Sequence, residues 1–199
     1  MKLRYLLLLI FPLYFMLTGC PRCPETVVLD HGPLPEEAMK YIPYHTGETY
    51  RFKHSRDMVV NFTVMRRGNY TETTSCAECC DYVVRYEVNA TEMAPDYPLF
   101  DMRFEISNMD TSFFYCTARV GGCGFKIPTN GPDTADVEKM DSVMVDSVWY
   151  YNVYKLENSW GCFPGEETVY ADSIWYNYTD GVIKILLSND EYYTLDKNN

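Results

Sequence analysis

Phe100, Met102, Phe104 and Ile106 alternate with Asp101, Arg103, Glu105 and Ser107, the cleanest period-two pattern in the chain. Successive side chains of a strand point to opposite faces, so this stretch predicts a strand with one face in a core and the other in water. Tyr82, Val84, Tyr86 and Val88 repeat the pattern against Val83, Arg85, Glu87 and Asn89, and the turn residues of 94–98 lie between. The two strands are expected to pair. Further strands are predicted over 49–54 and 58–66, joined around Arg56-Asp57, and over 112–120, 142–145, 148–156, 173–178, 182–187 and 191–195. Gly121-Gly122 suits a two-residue hairpin that sets Val120 opposite Cys123 and Cys116 opposite Ile127. Residues 71–81, 128–136 and 157–167 read as loops, and one or two helical turns from Glu36 end before Pro43. About ten strands with regular turns and no internal repeat predict an all-β fold with little helix. The expected form is a mostly antiparallel sandwich or a curved half-barrel sheet.

The start of the chain breaks from this pattern. Lys2 and Arg4 precede an apolar run from Tyr5 to Leu17, broken by Pro12 and closed by Leu17-Thr18-Gly19-Cys20. The run falls short of the roughly 20 apolar residues a membrane span needs. It resembles the signal peptide and lipobox of bacterial lipoproteins. That resemblance implies cleavage before Cys20, diacylglycerol on its sulfur and an acylated new N-terminus. Residues 1–19 are then a signal peptide. Residues 20–40, with Pro21, Pro24, Pro33 and Pro35, read as a Pro-rich tether, and 41–199 as a single β domain.

Composition narrows the function classes. The signal segment removes two of the 17 basic residues and none of the 28 acidic ones, so the formal net charge of −11 becomes −13. Nucleic-acid binding needs phosphate-neutralising Lys and Arg, and is excluded as an expectation. The membrane is met through the lipid anchor, not a basic surface. Eighteen Tyr, ten Phe and three Trp favour strands. Lipidation takes one of eight cysteines, leaving Cys76, Cys79, Cys80, Cys116, Cys123 and Cys162 as disulfide candidates and Cys23 in the tether as the odd thiol. Six cysteines permit 15 connectivities. In the hairpin register Cys116 and Cys123 do not face each other, so each is expected to reach a more distant partner, the 76–80 loop or Cys162. Cys76-Ala77-Glu78-Cys79 also has zinc-site spacing, but an exported chain favours structural bridges, and no metal or cofactor is expected.

Two stretches resemble small envelope lipoproteins of the Bacteroidota. One is Leu34-Pro35-Glu36-Glu37-Ala38 with Tyr41-Ile42-Pro43-Tyr44 and Gly47-Glu48-Thr49-Tyr50-Arg51-Phe52. The other is Tyr151-Asn152-Val153-Tyr154 with Ile174-Trp175-Tyr176, Gly181-Val182-Ile183-Lys184-Ile185 and Tyr193-Thr194-Leu195. The closing hairpin is also similar to the end of lipoprotein-carrier half-barrels, in which a curved sheet wraps an apolar ligand. The resemblance implies an envelope location, an outer-membrane anchor facing the periplasm, and β architecture. It carries no catalytic residue. It further implies O-glycosylation at Asp-Ser/Thr-apolar triplets, which makes Thr134, Ser142, Ser147 and Ser173 candidates; the competing reading is ordinary strand entry after a turn.

Motifs for chemistry are sparse. His31, His45 and His54 lack metal-site spacing and read as surface or turn residues, and no nucleophile elbow, phosphate loop or dinucleotide fingerprint is found. No catalytic residue is assigned. The aromatic strands around Trp149, Tyr151, Trp175 and Tyr176 place bulky rings on both faces, so either both faces are buried or one presents rings to a ligand. The expectation is a lipid-anchored, non-catalytic binding or assembly module for an unknown ligand or envelope protein. An envelope hydrolase and a fimbrial or adhesive subunit are the alternatives.

Overall fold

The computed structural model describes residues 27–75, 82–97, 99–131, 137–159, 161–162 and 169–197. Its strands are β1 (Val27–Asp30), β2 (Thr49–His54), β3 (Val59–Ser75), β4 (Tyr82–Pro95), β5 (Met102–Ser107), β6 (Tyr115–Val120), β7 (Cys123–Ile127), β8 (Glu138–Val145), β9 (Val148–Glu157), β10 (Ala171–Asn177), β11 (Gly181–Leu187) and β12 (Tyr192–Leu195). One 3₁₀ helix, Glu36–Tyr41, precedes β2. The fold is mostly antiparallel β, and its eleven-stranded path runs β7-β6-β5-β4-β3-β2-β12-β11-β10-β9-β8 as a curled half-barrel sheet. The half-barrel, not the sandwich, is the form adopted.

The chain divides into two units. In the smaller, which takes in residues up to 30 and 73–85, β1 runs parallel to the start of β4, Val27 opposite Tyr82 and Asp30 opposite Arg85. The larger holds 31–72 and 86–199.

Its core is built in cross-strand rows. Met93, Met102, Val120 and Cys123 form one row across β4 to β7; Thr91, Phe104, Ala118 and Phe125 form the next; Asn89, Ile106, Cys116 and Ile127 the third. All twelve side chains are buried. Burying a large apolar side chain contributes about 1.5–3 kcal/mol, so rows of this kind, not the turns, carry most of the stability. The hairpin register expected from Gly121-Gly122 is the one observed, with Val120 opposite Cys123 and Cys116 opposite Ile127.

The sheet curls until its β7 end is met by the segment leaving β9. Ser159 donates its backbone N–H to the Gly124 carbonyl at 3.0 Å, and Cys162 forms a disulfide with Cys123. Across the same gap the Tyr178 hydroxyl donates to the Pro128 carbonyl at 2.7 Å.

The concave side is filled by the chain itself. Leu34, Ala38, Tyr41, Ile42 and Tyr44 are all buried. Tyr41 stands edge-on to Tyr178 with ring centroids 5.2 Å apart, and its carbonyl accepts the Tyr176 hydroxyl at 2.5 Å. The Tyr44 ring packs against Tyr50 and Phe104, and its hydroxyl oxygen accepts the Val182 N–H at 2.7 Å. Only glycine fits at 181: its φ is +75°, and an added Cβ would lie 2.1 Å from the Tyr44 hydroxyl. A small pocket beside Cys116 measures about 10 Å³, hardly room for one water. The concavity is thus occupied by the chain's own tyrosines.

Several expectations are corrected. The tether predicted over 20–40 contains β1 and the start of the core, because Leu34, just before the 3₁₀ helix, and Ala38 within it are buried. Residues 71–75, read as loop for want of large apolar side chains, continue β3: β-branched Thr suits a strand, and Tyr86 reaches across to Glu72 with a 2.8 Å hydrogen bond. His54, read as a surface or turn residue, is buried at the end of β2, its Nδ1 accepting the Arg56 N–H at 3.2 Å and its ring tilted 56° against Tyr193. The signal segment with Cys20, and the Cys76, Cys79 and Cys80 cluster, lie outside the described residues.

Candidate functional site

The β8–β9 hairpin turns at Asp146 and Ser147, both with positive φ (47° and 67°), as a two-residue turn that matches the natural strand twist requires. Its tip is held against β12. The Thr194 hydroxyl donates to the Asp146 carboxylate, and the Tyr150 hydroxyl donates to the Leu195 carbonyl at 3.3 Å. Lys197 sits over the Tyr150 ring, 4.8 Å from its centroid. The other end of β9 pairs with β10, Tyr154 opposite Tyr176 and Glu157 opposite Ser173.

Between these anchors β9 bends at Asn152, whose φ of 52° is left-handed. Asparagine tolerates that conformation better than the rings around it, because its short carboxamide avoids the clash a branched or bulky side chain would meet. The bend breaks the alternation: Tyr150 and Val153 are both buried, and Tyr151 and Asn152 between them are both exposed.

A cleft of about 550 Å³ opens at this bend. Its aromatic side is Trp149, Tyr150, Tyr151, Tyr154 and Tyr178; its polar side is Lys139, Asn152, Asn177, Thr179, Asp180 and Lys197. The polar side is pre-arranged by one asparagine. Asn177 Oδ1 accepts the backbone N–H groups of Thr179 and Asp180 at 3.1 and 2.6 Å, while its Nδ2 donates to the Tyr151 carbonyl at 3.2 Å and to the Asp180 carboxylate at 3.1 Å. The β10–β11 turn and the β9 bend are thus locked to each other. Asp180 also pairs with Lys197. Burial, with the negative charges of Asp180, Asp146 and Asp196, pushes the Tyr150 phenol up to about 12. Burial and the neighbouring Tyr154 hydroxyl raise Tyr178 further. Both phenols stay neutral hydrogen-bonding groups at physiological pH.

The four aromatic residues singled out from the sequence separate. Trp149 and Tyr151 are 57% and 62% exposed, two residues apart along β9, with Met144 opposite Trp149 and Ser142 opposite Tyr151 on β8. Tyr176 is fully buried in the core, and Trp175 lies half-buried under the Lys184 ammonium at 4.9 Å. Only the β9 pair belongs to the cleft.

Among the cysteines, Cys123 and Cys162 bond to each other and Cys116 is a free thiol. The expected bridge from Cys116 to a distant partner is corrected: its place in the middle of a buried row makes it a core side chain, and burial raises its thiol far above the ordinary range. None of the three links to the 76–80 loop. The glycosylation candidates also divide, with Ser142 and Ser147 exposed, Ser173 only 2% exposed and inaccessible in the folded chain, and Thr134 outside the described residues.

Sequence reasoning missed Lys139, Asn152, Asn177, Asp180 and Lys197. One signal was present: a turn-favouring Asn inside an aromatic strand marks a bend. No family model, curated protein or solved structure matches the chain.

Proposed function

We propose that this chain is a lipid-anchored envelope protein, held at the outer membrane facing the periplasm through Cys20, that acts as a non-catalytic binding module. The observation that carries the reading is the cleft at the β9 bend, where Trp149 and Tyr151 stand in solvent on a frame fixed by the Asn177 hydrogen bonds. Large exposed rings beside convergent polar groups are costly to leave uncovered and are typical of ligand surfaces. The carboxylate in the cleft supports binding over hydrolysis, since Asp180 is already engaged by Asn177 and Lys197. An adhesive subunit would use the open edge of β8 for strand addition, but that edge carries Glu138, Lys139 and Asp141, charges that oppose pairing.

Among the described residues no helix is long and apolar enough to cross a membrane. If the lipid on Cys20 is the anchor, Cys20→Ala is expected to release an exported, folded protein into the soluble fraction. Fractionation that finds the variant still firmly in the membrane overturns the anchor.

A further inference from the structure

We infer that the cleft at the β9 bend takes an uncharged glycan. The inference rests on the binding-module reading and adds the class of ligand.

Five aromatic rings and six polar side chains line the cleft, and no aliphatic one does. An acyl chain or an apolar peptide is matched by aliphatic walls. A pyranose ring has a different demand: a flat face of C–H groups that stacks on an aromatic plane, and a rim of hydroxyls that each need a donor or acceptor. Trp149 and Tyr151 supply the planes. Two positions apart on an extended strand, their Cα atoms are about 6.5 Å from each other, within reach of adjacent or next-adjacent rings of an oligosaccharide. The Asn152 carboxamide, the Thr179 hydroxyl and the Asp180 carboxylate supply hydrogen-bonding partners at the same mouth.

Charge points to a neutral ligand. Of the cleft's charged side chains, Lys197 is matched by Asp180 and Lys139 lies over the Tyr154 ring, 5.8 Å from its centroid, while the chain as a whole carries a formal net charge of −11, a field that repels polyanions. The frame is also rigid before any ligand arrives. Asn177 spends its carboxamide on the backbone and on Asp180, so little ordering cost is left for binding.

The test is isothermal titration calorimetry of the full-length chain in a zwitterionic detergent against uncharged hexasaccharides: β-1,4-glucan, β-1,4-linked N-acetylglucosamine, α-1,4-glucan and α-1,6-mannan. At least one is expected to bind saturably. Trp149→Ala and Tyr151→Ala are each expected to weaken it about tenfold or more, and Trp175→Ala, outside the cleft, to leave it unchanged. Circular dichroism shows that each variant is folded. Absence of binding by every uncharged hexasaccharide overturns the inference, as does binding that Trp149→Ala leaves intact. If hexagalacturonate or an amphipathic peptide library binds instead and is lost in the same two variants, the inference of an uncharged glycan fails and the binding module stands. If those variants alter no interaction at all, both fail.

Discussion

Two aromatic pairs on neighbouring strands meet opposite fates. Trp175 and Tyr176 on β10 have partners on both sides, β9 and β11, and Tyr176 is completely buried with its hydroxyl on the Tyr41 carbonyl. Trp149 and Tyr151 on β9 lie beyond the end of β10, paired only to the edge strand β8, and they stand in solvent. The residue types are the same. Their difference comes from how many strands cover each position, which shows that an aromatic run reports a strand before it reports a core or a site.

The comparison is broken most severely by truncating the buried member. Tyr176→Ala is expected to cost about 3–5 kcal/mol, the usual range for a fully buried aromatic, whereas Tyr151→Ala should stay within about 0.5 kcal/mol of the parent. Urea unfolding followed by circular dichroism measures both. Similar losses for the two would show that the β9 pair is a second core.

Removing the bond that closes the sheet ranks next. Cys123 and Cys162 are separated by 39 residues, and loss of a link over that length is expected to cost about 2–4 kcal/mol in Cys162→Ser. The unfolding midpoint should fall while the β9 hairpin, held by Asp146 and Tyr150 to β12, keeps its exposed rings in place. A variant of parental stability would mean that the Ser159 and Tyr178 hydrogen bonds suffice to close the sheet.

A smaller effect separates buried from exposed phenols by pH. Burial raises Tyr44, Tyr176 and Tyr178 well above the ordinary value, and Tyr150 from 10.0 to about 12. A group whose folded pKa is raised contributes its stability fully below the unfolded value and loses it as pH climbs through the folded one. Stability should accordingly hold up to about pH 10 and decline progressively as the pH rises beyond it. Phenolate absorbance and circular dichroism should then change together, because these four rings ionise by unfolding. Gradual ionisation of all tyrosines with the fold retained would contradict the buried cluster.

Legibility differed in the same way from place to place. The β5 to β7 part of the rows was readable because alternation on a half-covered sheet is a local rule, and Gly121-Gly122 set the register of its hairpin without help from distant residues; on β4 the reading failed, because Asn89, placed on the polar face, enters a buried row with Ile106, and Thr91 and Met93 supply the other two. The cleft was only half readable. Trp149 and Tyr151 announced themselves, but Lys139, Asn177, Asp180 and Lys197 come from β8, β10, the turn after it and the chain's end, and nothing local says that these meet. The 3₁₀ segment shows the same limit. Its pattern is that of a short helical turn after prolines, and its role as filler of a curved sheet exists only once the sheet has curled around it.

What the sequence determined by itself was therefore the strand content, most turns and one hairpin register, because each depends on the chemistry of a few adjacent residues. The tertiary structure alone decided half-barrel over sandwich, the pairing of Cys123 with Cys162, the burial of Cys116 and the division of the aromatics into core and cleft. Those outcomes depend on which surfaces approach from far along the chain, and that is set by the packing of whole strands.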